Sequence, residues 1–195
     1  MSCLPVSAAR CLLLLLATSG SLVGSARSLA AAPKTARAAI TSTISEDIAF
    51  LLAGLVVDTT LRPGVNAIET YVAAFRWRKN PPEINALFNA KVGYNGKIRG
   101  QTVLLGSDGT NNIIAVMIRD GFNAARVRAA LEQAFTLRDV DSEESAGQKS
   151  DAYSLSDHGK DLGVVLLTYG VADAIRGSGT VAYMSAKEFN NARGH

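Results

Sequence analysis

The feature that most constrains the fold is Ile113-Ile114-Ala115-Val116-Met117-Ile118, six apolar residues in a row. A half-exposed strand alternates apolar and polar residues, and this one does not. It therefore predicts a strand central in its sheet and covered on both faces. A second run, over 101–107, precedes it across Asp108-Gly109. Asp and Gly tolerate the positive φ angles of a type I′ turn, so the two runs predict a tight hairpin. Arg119-Asp120-Gly121 then turns the chain into a helix over 123–135, with Arg126, Arg128, Glu132 and Gln133 facing water.

Ahead of that unit the sequence predicts helices. Thr43-Ile44-Ser45-Glu46 has capping-box spacing, and Ile48, Leu51, Leu52, Leu55 and Val56 recur at three and four, so a buried helix runs from about 44 to 59. Asn66 to Glu69 starts a second helix, ending near Lys79, with Ile68, Val72 and Phe75 as its stripe. Asn80-Pro81-Pro82-Glu83 starts a third, to about Lys91. Gly93-Tyr94-Asn95-Gly96 reads as a turn. Further strands are expected over 136–141, 152–156, 162–169 and 180–184. A polar loop is expected over 142–150, one helical turn within 170–176, and a frayed helix from Ala186. The expected fold is α+β: N-terminal helices (44–91) packed on a mostly antiparallel sheet (92–185), with one further helix after a β-hairpin and a tail over 186–195.

The first thirty residues read as a signal peptide. Arg10 precedes an apolar core around Leu12 to Leu16, and Ser28-Leu29-Ala30 fits the small-x-small cleavage pattern. Residues 31–43 follow as a flexible linker. The alternative is a mitochondrial transit peptide, because Arg10, Arg27, Lys34 and Arg37 occur with no acidic residue before Glu46. The leucine run favours export, since transit peptides are amphipathic. An uncleaved anchor is the third reading, although the run is short for a spanning helix.

Both cysteines, Cys3 and Cys11, lie in this leader. A cleaved chain is then cysteine-free and can form no disulfide, thiolate metal site or cysteine nucleophile. Taking Arg10 and Arg27 from the formal charge of +3 leaves about +1. That balance argues against nucleic acid as a partner.

Chemistry-bearing residues are sparse. His158 lies in Ser156-Asp157-His158-Gly159-Lys160-Asp161. With Asp157 and Asp161 it offers an acid–base or metal cluster, because carboxylates can orient an imidazole that titrates near neutrality. The same six residues are also good turn formers. One histidine without a second makes no ordinary zinc site. Asp139-Val140-Asp141-Ser142-Glu143-Glu144 starts like a calcium loop, but it has Glu144 where the loop needs glycine and Ser150 where it needs a bidentate glutamate. Gly177-Ser178-Gly179 lacks the lysine and spacing of a phosphate loop. There is no Gly-x-Ser-x-Gly elbow.

Arg76-Trp77-Arg78-Lys79 places three cations around the single tryptophan, a pattern suited to anionic head groups or an acidic partner. The plainer reading, which the sequence favours, is that Phe75 and Trp77 pack while the cations are solvated. No cofactor and no metal are expected. The sequence points to an exported, non-enzymatic protein that binds a protein or small-molecule partner. The alternatives are a small hydrolase or lyase using His158 with Asp157 or Asp161, and a membrane-surface protein attached through Arg76 to Lys79.

Overall fold

The computed structural model describes residues 42–61, 66–81 and 90–192. The expected leader, most of the linker and nearly all of the expected third helix lie outside them. The described residues from Thr43 onward group as one compact unit.

Helix α1 (Ile44–Leu61) begins with the capping box: Glu46 N–H donates to Thr43 Oγ1, and Thr43 N–H donates back to the Glu46 carboxylate. From Ile44 to Val56 it is buried round most of its circumference. Such a helix must be enclosed by its own fold. Helix α2 (Ala67–Ala74) packs on it, with Asn66 Oδ1 accepting from Glu69 N–H at its start.

One antiparallel sheet supplies the other side of the core. Its strands are β1 (Arg78–Lys79), β2 (Val92–Ile98), β3 (Gln101–Ser107), β4 (Ile113–Ile118), β5 (Thr136–Ser145), β6 (Gln148–Asp157), β7 (Lys160–Gly170) and β8 (Gly179–Ser185), in the order β1-β2-β3-β4-β8-β7-β6-β5. Helix α3 (Ala124–Leu131) links β4 to β5, a 3-10 turn (Asp173–Ile175) precedes β8, and helix α4 (Ala186–Ala192) follows it. The α+β fold with helices ahead of an antiparallel sheet, and one helix after a hairpin, is thus what the chain adopts.

The last strand enters the middle of the sheet and pairs with β4 on one side and β7 on the other. The inward residues of the central strands form matched rows: Leu105, Val116, Val181 and Leu167 in one, Ile114, Tyr183, Val165 and Tyr153 in the next. All are buried in one cluster with α1 and with Val127, Ala130 and Leu131 of α3. Tyr183 OH donates to Leu162 O at 2.7 Å, and burial pushes its phenol up to about 12.

Several sequence expectations need correction. Helix α2 stops at Ala74, not near Lys79. Arg76 takes φ 54°, a value no helix continues through, and Arg78–Lys79 instead pair with Asn95 and Tyr94. Gly93 to Gly96 is not a turn but strand β2, where Gly96 leaves room for the Trp77 ring. Asp108-Gly109 is not a two-residue turn. The connection spans 108–112 and is organised by the Asp108 carboxylate, which accepts from Thr110 N–H and Ile113 N–H.

The expected loop over 142–150 is instead a continuation of β5 and β6. It is polar because β5 is an edge strand exposed along nearly its whole length. Helix α3 ends at Leu131, four residues short of the expectation, although Phe135 remains buried. Strand β4 is central but sealed on one face only: Ile114, Val116 and Ile118 are buried, while Ile113, Ala115 and Met117 are half-buried. The reason is that α1 and α3 both join the core on the same side. No described helix is long and apolar enough to cross a membrane.

Candidate functional site

The sheet's other face is where this fold leaves apolar surface in reach of water. Strand register aligns Gly106, Ala115, Ala182, Leu166 and Ala152 in one outward row, which Asp141 of β5 extends; Gly106 is buried and the row opens to water from Ala115 onward. The neighbouring row is Leu104, Met117, Thr180, Thr168 and Ser150, with Arg78 and Asn95 before it and Glu143 after it. A third aligns Ile113, Met184 and Val164; Val164 is buried, and helix α4 packs against β7 and β8. Leu104, Ile113, Ala115, Met117, Ala182, Met184 and Ala152 are half-buried. Leu166, in the body of β7, is 39% exposed. It is flanked by the small side chains of Ala182 and Ala152, so it stands proud of them. Ser150 and Thr168 hydroxyls bond to each other at 3.1 Å.

On the inner face, the projecting ends of β5, β6 and β7 carry a polar cluster. Asp151 is 8% exposed. Its Oδ1 accepts from Ser142 Oγ at 2.7 Å and sits 3.2 Å from Lys149 Nζ, and its Oδ2 accepts from Tyr169 OH at 2.8 Å. Burial alone would raise the carboxyl, but these three partners outweigh it and hold it below the usual range. The hydrogen bond to Asp151 raises Lys149. Burial, aided by the bond to Asp151, raises Tyr169. Every shift runs away from neutrality, so none of these groups is poised to exchange a proton near pH 7. The Tyr169 ring stacks on Phe122 at 6.0 Å, and Arg128 lies 4.9 Å from the centre of the Tyr153 ring while pairing with Glu132 and Asp139. The cluster ties the outer strands to α3.

The sequence-predicted residues fall elsewhere. His158 and Gly159 are the two central residues of the β6–β7 turn, with φ 49° and 80°. The His158 side chain is 90% exposed and its Nε2 lies 3.6 Å from Asp157 Oδ1. The Asp161 carboxylate accepts from Gly163 N–H at 2.9 Å and does not join them. This arrangement offers no enclosure in which an acid–base pair could hold a substrate away from water. Among the described residues, no group of three or more His, Cys, Asp or Glu side chains assembles into a metal set.

Trp77 is half-buried over Gly96 and leans toward Phe75 at 6.5 Å, while Arg76, Arg78 and Lys79 are exposed. The apolar crevice between Leu51, Tyr71, Val72, Phe75, Trp77 and Leu105 leaves no room for a water molecule. Trp77 therefore packs, and only the cations beside it face solvent.

Comparison with protein-family models, with characterised proteins and with solved structures found no match to this chain. Sequence reasoning missed both the outward apolar rows and Asp151. The rows were hidden because β4 reads as apolar on both faces, which suggests cover rather than exposure. Asp151 was hidden by a polar setting that reads as loop.

Proposed function

We propose that this chain is an exported, non-enzymatic protein that binds a protein partner through the outward face of its sheet. The observation that carries the reading is Leu166: a large apolar side chain, 39% exposed, in an apolar field contributed by β3, β4, β8 and β7. An exposed apolar field rimmed by polar side chains is the usual form of a protein–protein contact. The polar groups that would support catalysis are either at a turn tip or fully engaged with one another. Export rests on the leader's sequence pattern.

The test uses the full-length chain with Cys3→Ser and Cys11→Ser, into which Leu166→Cys or Ala182→Cys is introduced. Maleimide labelling at high dilution should proceed nearly as fast as for an exposed control such as Lys160→Cys. Labelling that requires denaturant at both positions would mean the face is closed, and the reading would fall. Recovery of the native protein from the cell interior with its leader intact would overturn the export part.

A further inference from the structure

We propose that the occupant of this face is one amphipathic helix of a protein partner, seated lengthwise over β4 and β8 with its acidic end toward Arg119. The inference rests on the outward face being a binding surface, and goes further by naming the element and the charge it brings.

The open part of the face has the width of one helix. At the level of Ala115 and Ala182 it ends on one side at Gly106, which is buried, and reaches the exposed Leu166 on the other. One row further, at Ile113 and Met184, it is bounded by Val164, which is buried, with α4 packed against β7 and β8. Two to three strands at about 4.8 Å stay open there, a strip roughly 10–14 Å wide. A helix with its side chains is about 10–12 Å across, whereas a second sheet packed face to face would need the closed flanks as well.

The floor suits such a helix. Ile113, Ala115 and Met117 of β4 lie beside Met184, Ala182 and Thr180 of β8. The paired Ala115 and Ala182 make a low place between larger residues, with Leu166 next to it. Apolar side chains at i, i+3, i+4 and i+7 of a helix form a stripe that fits such a line of high and low places. From Ile113 to Arg119 is about 20 Å of strand, the length of about thirteen helical residues.

Charge sets the direction and the partner's chemistry. Away from α4 the strip widens into the row of Asn95, Leu104, Met117, Thr180 and Thr168, all half-buried. Arg78 stands in that row, and Lys97 and Arg119 follow two residues beyond Asn95 and Met117. All three are exposed, and none has an ion-pair partner among the described residues. The neighbouring Asp120 carboxylate accepts from Gly121 N–H at 2.8 Å instead. Three unpaired cations around the wide end select acidic side chains there. An anionic lipid surface fits less well, because Asp141 and Glu143 lie on the same face.

The experiment is fluorescence anisotropy of labelled peptides of about sixteen residues titrated with the full-length protein, with circular dichroism and thermal midpoint as fold controls. The acidic probe carries leucines at helical spacing and glutamates in its first turn, where they also suit the helix dipole. A second probe has lysines in place of the glutamates. A third keeps the composition of the first and scrambles the spacing. The acidic probe should bind saturably at micromolar concentrations, and the other two at least tenfold more weakly. Ala182→Phe fills the low place and should weaken the acidic probe about tenfold with the fold controls unchanged. Lys97→Glu/Arg119→Glu should reverse the preference between glutamate and lysine probes. Equal binding of the scrambled probe, a charge preference unmoved by the double reversal, or no saturation up to hundreds of micromolar would each overturn the proposal. So would a dimer in sedimentation equilibrium, or binding to phosphatidylglycerol vesicles, that Ala182→Phe abolishes, since a second copy or a membrane would then hold the face. The maleimide test separates the two levels. Open labelling without probe binding removes the helix and leaves the binding reading standing. Blocked labelling at both positions removes both.

Discussion

Ser45 is 0% exposed and joins two elements that are far apart in sequence. Its Oγ donates to Gly121 O at 2.8 Å and accepts from Asn123 N–H at 2.8 Å. It thereby fixes the first turn of α1 against the entry to α3, where Asn123 Oδ1 in turn accepts from Arg126 N–H at 3.1 Å. Ser45→Ala removes both bonds and adds no bulk. Each backbone group left without its partner costs about 1–3 kcal/mol when dry. Gly121 and Asn123 are themselves exposed, so water reaches part of the site and the low end applies to each. The expected loss is about 2 kcal/mol, or about 4–8 °C in Tm for a unit of this size. Urea denaturation read by circular dichroism measures it, with Ser154→Ala as the control. Ser154 is half-exposed and makes only a 3.5 Å bond to Arg138 O, so its loss should stay within about 0.5 kcal/mol. A Ser45→Ala protein as stable as that control would refute the claim that this hydroxyl holds α1 to α3.

Three other outcomes follow from the same geometry. The Asp151 carboxyl is lowered in the folded protein, so the stability it contributes is present above the ordinary carboxylate range and is lost as pH falls through the folded value. Asp151→Asn should therefore flatten the acid limb of a stability–pH profile, and an unchanged limb would remove Asp151 as its source. Gly96→Ala would bring a Cβ within 2.2 Å of the Trp77 indole, so the ring must leave its seat. A red shift in the emission of the single tryptophan and a cost of about 1–3 kcal/mol should accompany it. His158→Asn keeps a residue that tolerates positive φ at the turn, so it should leave stability within about 0.5 kcal/mol; a large loss would show a role for the imidazole beyond the turn.

Where local chemistry decided the outcome, the sequence was legible. The capping box at Thr43 and Glu46, the cap-like start at Asn66 and the inward residues of β4 and β7 act as their residue types suggest. What could not be read is what pairing decides. Ser142 to Ser150 is as polar as a loop, yet β6 is hydrogen-bonded on both sides and carries β5 with it. Arg78–Lys79 follows a helical stripe, yet an available edge of β2 captures it once Arg76 breaks the helix. Tertiary pairing overrode local pattern at both places. The candidate surface was illegible for a related reason. Outward and inward residues of β4 are equally apolar, so only the position of α1 and α3 reveals which face is closed.

That distinction also decides which unusual residues need a functional explanation. Arg99-Gly100, Ala146-Gly147 and His158-Gly159 close three hairpins with φ near 50° and then near 80°. Both central residues of a type I′ turn need positive φ, and glycine at the second position supplies it without strain. His158 is thus one of three residues at equivalent turn positions, and Arg99 and Ala146 share none of its chemistry. The acidic run of β5 is explained in a similar way: charges and a bulge between Asp139 and Asp141 blunt an edge strand that would otherwise recruit other strands. Neither account reaches Leu166. It lies on an interior strand that needs no edge protection, in a conformation any residue adopts, and a threonine would serve a solvated strand there as well as its neighbour Thr168 does. What sets Leu166 apart is its company: with the half-buried Leu104, Ala115, Met117 and Ala182 it forms a field that a partner packing on this face would cover.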